Sequence, residues 1–169
     1  MDAYGQKKAS LRQGSGSLTA LSNFQIQDYY EGCPDFGGCP SSDEIAKIRD
    51  PKKFYIINLS ERKDGGSHWV LLFQNLYFDS FGCPPPLVVV PFASVWNDTQ
   101  YQDFHSSACG FYCIYVEDAL LAGRMPTQGL IPDTEETRQN SSELVLSRYF
   151  VSQVGEGFFP RPPRGFYLH

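Results

Sequence analysis

Hydrophobic positions fall in short blocks set apart by Gly, Pro and polar residues, and their period changes along the chain. Residues 1–17 are polar and Gly/Ser-rich, carry Lys7, Lys8 and Arg12, and read as a flexible lead. Leu18–Tyr30 mixes apolar and amide side chains and begins the fold. The spacing predicts a helix over Asp43–Arg49, with Ser41 at the cap, Glu44 completing a capping box and Pro51 just beyond its end. Phe54–Leu59, FYIINL, is β-branched and aromatic and is expected to be a buried strand. A polar loop with the turn signal Asp64-Gly65-Gly66 follows. Trp69–Phe73 and Leu76–Phe81 then flank Gln74-Asn75 and read as a hairpin. Gly82 and Pro84-Pro85-Pro86 stop the second strand, because proline has no N–H for a ladder. Leu87–Val90 reads as a further short strand or extended segment.

From Cys109 the period becomes helical through Phe111, Ile114, Tyr115, Ala119 and Leu120, and Gly123 suits a left-handed C-cap. Ser106 and Ser107 stand where capping hydroxyls belong. Residues 124–139 are polar loop, and a last helix is predicted over Ser141–Val154, with Asn140 as its cap and Glu143 three residues on. The end, GEGFFPRPPRGFYLH, sets four aromatics among Gly, Pro and Arg and reads as an arm that docks or awaits a partner. No internal repeat is visible. The pattern therefore predicts an α+β protein with a central, mostly antiparallel sheet flanked by helices. Its organisation is a lead (1–17), one domain (18–154) and an aromatic, Pro-rich arm (155–169).

Composition narrows the possibilities. A chain of 169 residues, 41% hydrophobic and 15% aromatic, buries about 70% of its unfolded surface in one core, which excludes disorder. Fourteen basic against nineteen acidic residues give a net charge of −5 and a pI near 5.1, so nucleic acid is not expected to dominate its partners. No apolar run approaches the ~20 residues of a membrane span, and Met1–Ala20 holds no apolar segment resembling a secretory signal. Five cysteines, an odd number, fit free thiols in a reducing compartment. No pair is spaced C-x-x-C. Cys33 and Cys39, in CPDFGGCP without a nearby histidine, read as loop thiols rather than metal ligands, with an oxidised pair as the alternative.

The sharpest chemical feature is SSACGFYC. Cys109 opens the predicted helix, where the positive helix end and unpaired N–H groups favour a thiolate, the nucleophilic form. The alternative is a buried helix-start cysteine, the reading preferred for Cys113 one turn later. Gly110 lets backbone and substrate approach closely. A nucleophilic thiol needs a base, and His68, His105 and His169 are available. With Gln74-Asn75 as a two-residue turn, His68 falls opposite Phe81, and Asp79 points to the same face as His68. Such diagonal neighbours are within reach of an imidazole–carboxylate hydrogen bond, the orienting contact of a catalytic imidazole. The alternative for Asp79 is a carboxylate capping the Ser80–Gly82 turn. An oxyanion would be met by the Cys109 N–H and by an amide side chain, Gln100 or Gln102.

The order His68, Asp79, Gln102, Cys109 resembles that of the adenain-type cysteine proteases of adenoviruses. The wording is closer still to related proteases of polinton-like and other large DNA viruses and transposons, in the same clan as the proteases that cut ubiquitin-like modifiers. The matching pieces are HWVLL after a Gly-rich loop, YFDSFG followed by prolines, Gln102 seven residues before the cysteine, and the stretches LSNFQI and FYIINL, together roughly residues 21–122. The resemblance implies a papain-like cysteine protease fold in circularly permuted order, with His68 as base, Asp79 orienting it, and Cys109 as nucleophile. It also implies Gln102, rather than Gln100, as oxyanion donor beside the Cys109 N–H, and Trp69 as a wall of the substrate cleft, core packing being the alternative for that tryptophan. Two departures stand out: adenain has Glu where Asp79 stands, and adenain is basic and stimulated by DNA and a capsid-derived peptide, whereas this chain is acidic.

The expected function is thus a cysteine endopeptidase that processes viral capsid or core precursors during virion maturation. No metal or other cofactor is expected beyond a possible activating peptide. The protein is expected to be a monomer inside the virion and host cell, without a membrane partner. One rival uses the same chemistry on ubiquitin or ubiquitin-like tags, as a deubiquitinase or deSUMOylase-like isopeptidase. A rival of another class is a non-catalytic capsid or scaffold protein that kept the fold.

Overall fold

The computed structural model describes residues 18–154 except 66, 136 and 138–141; the predicted lead, the arm and the Asn140 cap lie outside the described residues. In chain order the elements are α1 (Asn23–Tyr29), β1 (Phe36–Gly38), a 3-10 turn (Ser42–Lys47), β2 (Phe54–Asn58), β3 (Trp69–Phe73), β4 (Leu76–Phe78), β5 (Val95–Trp96), α2 (Cys109–Leu121) and α3 (Ser142–Val154). The strands form one sheet in the order of the chain. Its centre, β2–β3–β4, is antiparallel, and β1 and β5 join the two edges in parallel. The protein is α+β, with a mixed sheet.

Side-chain alternation on the strands divides the core into two layers. Phe54, Ile56, Trp69, Leu71 and Phe78 face the helices, in a cluster with Ile26, Tyr29, Phe111, Ile114 and Phe150. Tyr55, Ile57, Val70, Leu72 and Tyr77 face the other way and are covered by Ile45, Val89 and Phe92. Both faces of β2 are therefore dry, which is why FYIIN is apolar without a break and buried throughout. Helix α2 is buried at every position from Cys109 to Ala119, Glu117 and Asp118 included. It lies across β3 and under α3. A buried carboxylate ties the three helices together: Asp118 accepts from the hydroxyls of Tyr29 (2.6 Å), Tyr30 (3.1 Å) and Tyr149 (2.7 Å).

Several expectations are met in detail. The hairpin register pairs Phe73 with Leu76 and Leu71 with Phe78, and Gln74 takes the positive φ of 52° that the tight turn demands. Helix α2 ends in a Schellman arrangement, in which Gly123 (φ 71°) and Arg124 donate to Leu120 and Ala119.

Others need correction. The predicted helix Asp43–Arg49 is the 3-10 turn Ser42–Lys47; its Ser41–Glu44 capping box is present, but it offers only Ile45 to the core, so nothing rewards further helical turns. Strand β4 stops at Phe78 rather than Phe81, because Asp79 turns the chain by accepting from the N–H groups of Phe81 and Gly82. Leu87–Val90 is not a strand: Val89 and Val90 both donate to the Pro86 carbonyl, and only Val89 of the four is buried. Neither Ser106 nor Ser107 caps α2; Ala108 occupies that position, and Ser106 Oγ accepts from its N–H instead. The edge strands β1 and β5 are too short to have shown a period. All five cysteines are unpaired.

Candidate active site

Packing of α2 across β3 brings residues distant in sequence together at one end of the sheet. His68 immediately precedes β3, Asp79 follows β4, and Cys109 is the first residue of α2. His68 Nε2 lies 2.7 Å from Asp79 Oδ1, with the two side chains 13% and 3% exposed. Cys109 lines the same cleft as His68 and is near enough to act on its protonation. The Trp69 N–H donates to Cys109 Sγ at 3.3 Å. Burial by itself lowers the His68 pKa, but the hydrogen bond to Asp79, the charge of that carboxylate and the neighbouring Cys109 outweigh it and raise the value from 6.5 to about 9. The imidazole is thus held as an imidazolium at neutral pH.

Each member is braced. Asp79 Oδ1 also accepts from the Phe81 N–H at 2.8 Å, so the turn-capping and imidazole-orienting roles weighed for it coexist in one oxygen. Asn97 locks the Asp79 backbone from both sides, accepting from its N–H (3.0 Å) and donating to its carbonyl (2.7 Å). The Phe81 ring stacks on His68, with centroids 4.5 Å apart and planes at 18°, which fixes the imidazole plane. Trp69 is anchored through Nε1 to the Leu21 carbonyl at 2.8 Å.

The cysteine and histidine open on a cleft of about 270 Å³, lined by Leu21, Asn58, Trp69, Phe81, Phe104 and Ser106 among others. A neighbouring hollow of about 240 Å³ shares Leu21, Asn58 and Trp69 and continues past Ser22 and Arg62. Asn58 therefore stands where the two meet. Its Oδ1 accepts from the Ser60 N–H, the Ser60 hydroxyl and the Ser67 N–H. This fixes the amide orientation and leaves Nδ2 without a partner among the described residues, as a preset donor on the cleft wall.

Gln102 is fully buried and hydrogen-bonded to Ser106 of the cleft lining. Its Oε1 accepts from Ser80 Oγ at 2.5 Å, and its Nε2 donates to the Ser106 carbonyl at 2.9 Å and, more loosely, to Ser106 Oγ at 3.3 Å. Gln100 points away, donating to the Gln102 carbonyl and to Asp133. Gly110 does not border the cleft. A Cβ there would stand 3.1 Å from Leu21 Cβ and Cδ1 and 3.3 Å from Trp69 Cδ1, so its bare backbone admits the two residues that support the wall, not substrate. His105 is exposed and lies behind the loop, in a separate hollow. Cys113 is fully buried, and burial first, then the neighbouring Cys109, pushes its thiol far up.

The chain matches no protein-family model and none of the curated proteins compared.

Among the described residues, no cluster of three or more His, Cys, Asp or Glu could hold a metal ion, and no helix is long and apolar enough to cross a membrane. Sequence reasoning missed Asn58, Ser80, Phe81 and Asn97 as parts of the site. Only Phe81 had a signal, since the hairpin register already set it opposite His68.

Proposed function

We propose that this protein is a cysteine endopeptidase, with a permuted papain-like arrangement, that processes capsid or core precursor polypeptides during virion maturation. The observation that carries the reading is the hydrogen-bonded Asp79–His68 pair set beside Cys109 on one cleft. The specific substrate class rests on the resemblance of the motifs around these residues to viral maturation proteases.

In this mechanism the Cys109 thiolate attacks the scissile carbonyl carbon, and the carbonyl π electrons move to oxygen. The oxyanion accepts from the Cys109 N–H, which as a first-turn group has no intrahelical acceptor, and from Gln102. The Gln102 Nε2 carries two hydrogens: one stays on the Ser106 carbonyl, and the other, loosely placed on Ser106 Oγ, is given up to the oxyanion. As the carbonyl reforms, the C–N bond breaks and His68 gives its proton to the departing amine. Water then attacks the thioester with neutral His68 as base, releasing the acid and the Cys109 thiol. Asn58 Nδ2 donates to a main-chain carbonyl of the bound peptide, and Trp69 walls the cleft.

The test is Cys109→Ala. Cleavage of capsid-precursor peptides is expected to fall to background, with an unchanged circular dichroism spectrum and melting temperature. Turnover persisting at the wild-type rate would end the assignment. Modifier probes with a reactive C-terminus, run in parallel, separate precursor processing from removal of a ubiquitin-like tag.

A further inference from the structure

The loop joining Gln102 to the nucleophile has little apolar support. Phe104, His105 and Ser107 are exposed, and a hollow of about 300 Å³, bordered by Asp103, Ser106, Tyr112 and Glu143, separates the loop from α3. Hydrogen bonds centred on Ser106 hold it in place. The Ser106 hydroxyl donates to Glu143 Oε1, on the first turn of α3. The same oxygen accepts from the Ala108 N–H at 3.1 Å and from Gln102 Nε2 at 3.3 Å, while the Ser106 carbonyl takes Gln102 Nε2 at 2.9 Å.

A serine hydroxyl has one proton and two lone pairs, and a carboxylate can only accept. With its proton committed to Glu143, Ser106 presents both lone pairs to the N–H groups of Ala108 and Gln102. Without Glu143 the hydroxyl proton would be free to turn toward those same donors. The Ser106 carbonyl sets which way the Gln102 amide faces, and Glu143 sets the Ser106 hydroxyl from outside the loop. We propose that Glu143 is a positioning residue: acting through Ser106, it holds the Gln102 amide and the Ala108–Cys109 backbone where an oxyanion would form. This inference rests on the peptidase reading and assigns α3 a part in it.

The experiment compares two reactions of the same thiol in the full chain. A peptide aldehyde adds to Cys109 to give a hemithioacetal whose oxygen needs the oxyanion donors, whereas iodoacetamide alkylates the sulfur with loss of iodide and creates no oxyanion. Complete loss of one such donor costs about 100- to 1000-fold, so a displaced donor in Glu143→Ala is expected to weaken aldehyde binding and lower kcat by about tenfold or more, with KM and the Cys109 alkylation rate changed by no more than about twofold. Glu143→Gln keeps an acceptor for Ser106 and is expected to restore aldehyde binding. Unchanged aldehyde affinity in Glu143→Ala, equal loss of both reactions, or failure of Glu143→Gln to restore binding would overturn the proposal. If Glu143→Ala does not fold, Ser106→Ala breaks the same link from the loop side and carries the same expectations. A wild-type protein that neither binds the aldehyde nor alkylates at Cys109 would instead overturn the peptidase reading.

Discussion

Replacing Asp79 with Asn removes a charge while leaving an oxygen to accept from His68 Nε2 and the Phe81 N–H, so it isolates electrostatics from geometry. In the native protein the carboxylate is 2.7 Å from the ring and helps raise the His68 pKa to about 9 against the opposing effect of burial. A neighbouring opposite charge raises a cation's pKa by about 1 to 3, each pH unit being worth about 1.4 kcal/mol. Its loss should move the titration of His68 down to between about 6 and 8. The imidazolium that the proposed mechanism needs beside Cys109 is present only below that midpoint. At pH 8 a group titrating at about 9 is about nine-tenths protonated, and one titrating near 7 only about one-tenth. The assay is kcat/KM for a peptide substrate between pH 5 and 10, with aldehyde affinity followed over the same range. The wild-type curve is expected to decline near pH 9 and the Asp79→Asn curve at least one pH unit lower. A basic limb at the same pH in both proteins would refute the claim that Asp79 sustains the imidazolium.

The remaining expectations concern the framework and the cleft. Glu117 is fully buried with neither carboxylate oxygen partnered among the described residues, and burial, then Asp118 and Asp35, raise its pKa from 4.5 to about 9. The folded state holds a proton there that the unfolded chain releases above pH 4.5, so stability is lost as pH rises from 4.5 toward 9. Glu117→Gln should gain about 3 kcal/mol at pH 7 and flatten that slope in urea unfolding; parallel slopes for the two proteins would rule the explanation out. Gly110→Ala should lower stability in thermal melts, because crowding Leu21 and Trp69 costs about 1–3 kcal/mol, more than the gain of about 1 kcal/mol in helix propensity. An unchanged or higher Tm would show that the contact relaxes freely. Asn58→Asp keeps the oxygen that holds Ser60 and Ser67 but loses the Nδ2 donor, so KM for an extended peptide should rise about tenfold, while hydrolysis of a minimal ester stays as in the wild type. Equal loss on both substrates would remove Asn58 from peptide binding.

The hairpin shows how far local pattern reaches. A two-residue turn at Gln74-Asn75 fixes the register as far as Leu71–Phe78, and the turn at Asp79 that follows brings Phe81 and the carboxylate against His68. The Ser41–Glu44 capping box and the Gly123 end of α2 were legible for the same reason, since each is a hydrogen-bond pattern spanning a few residues. The same local logic misled at Leu87–Val90, whose apolar letters say nothing of the turn imposed by the Pro86 carbonyl. It also misled at Gly110, whose missing side chain could have served a substrate as well as Leu21.

The sequence by itself determined the α+β class, the central hairpin and the kinds of chemistry on offer, because strand alternation, turn length and helix ends are set by interactions between near neighbours. Only the tertiary structure decided that Cys109 receives the Trp69 N–H across a separation of 40 residues, and that Asn58 faces the cleft. It also decided that Glu143 reaches Ser106 across 37 residues. Those meetings depend on how α2 and α3 lie against the sheet, and that is a property of the whole packed core.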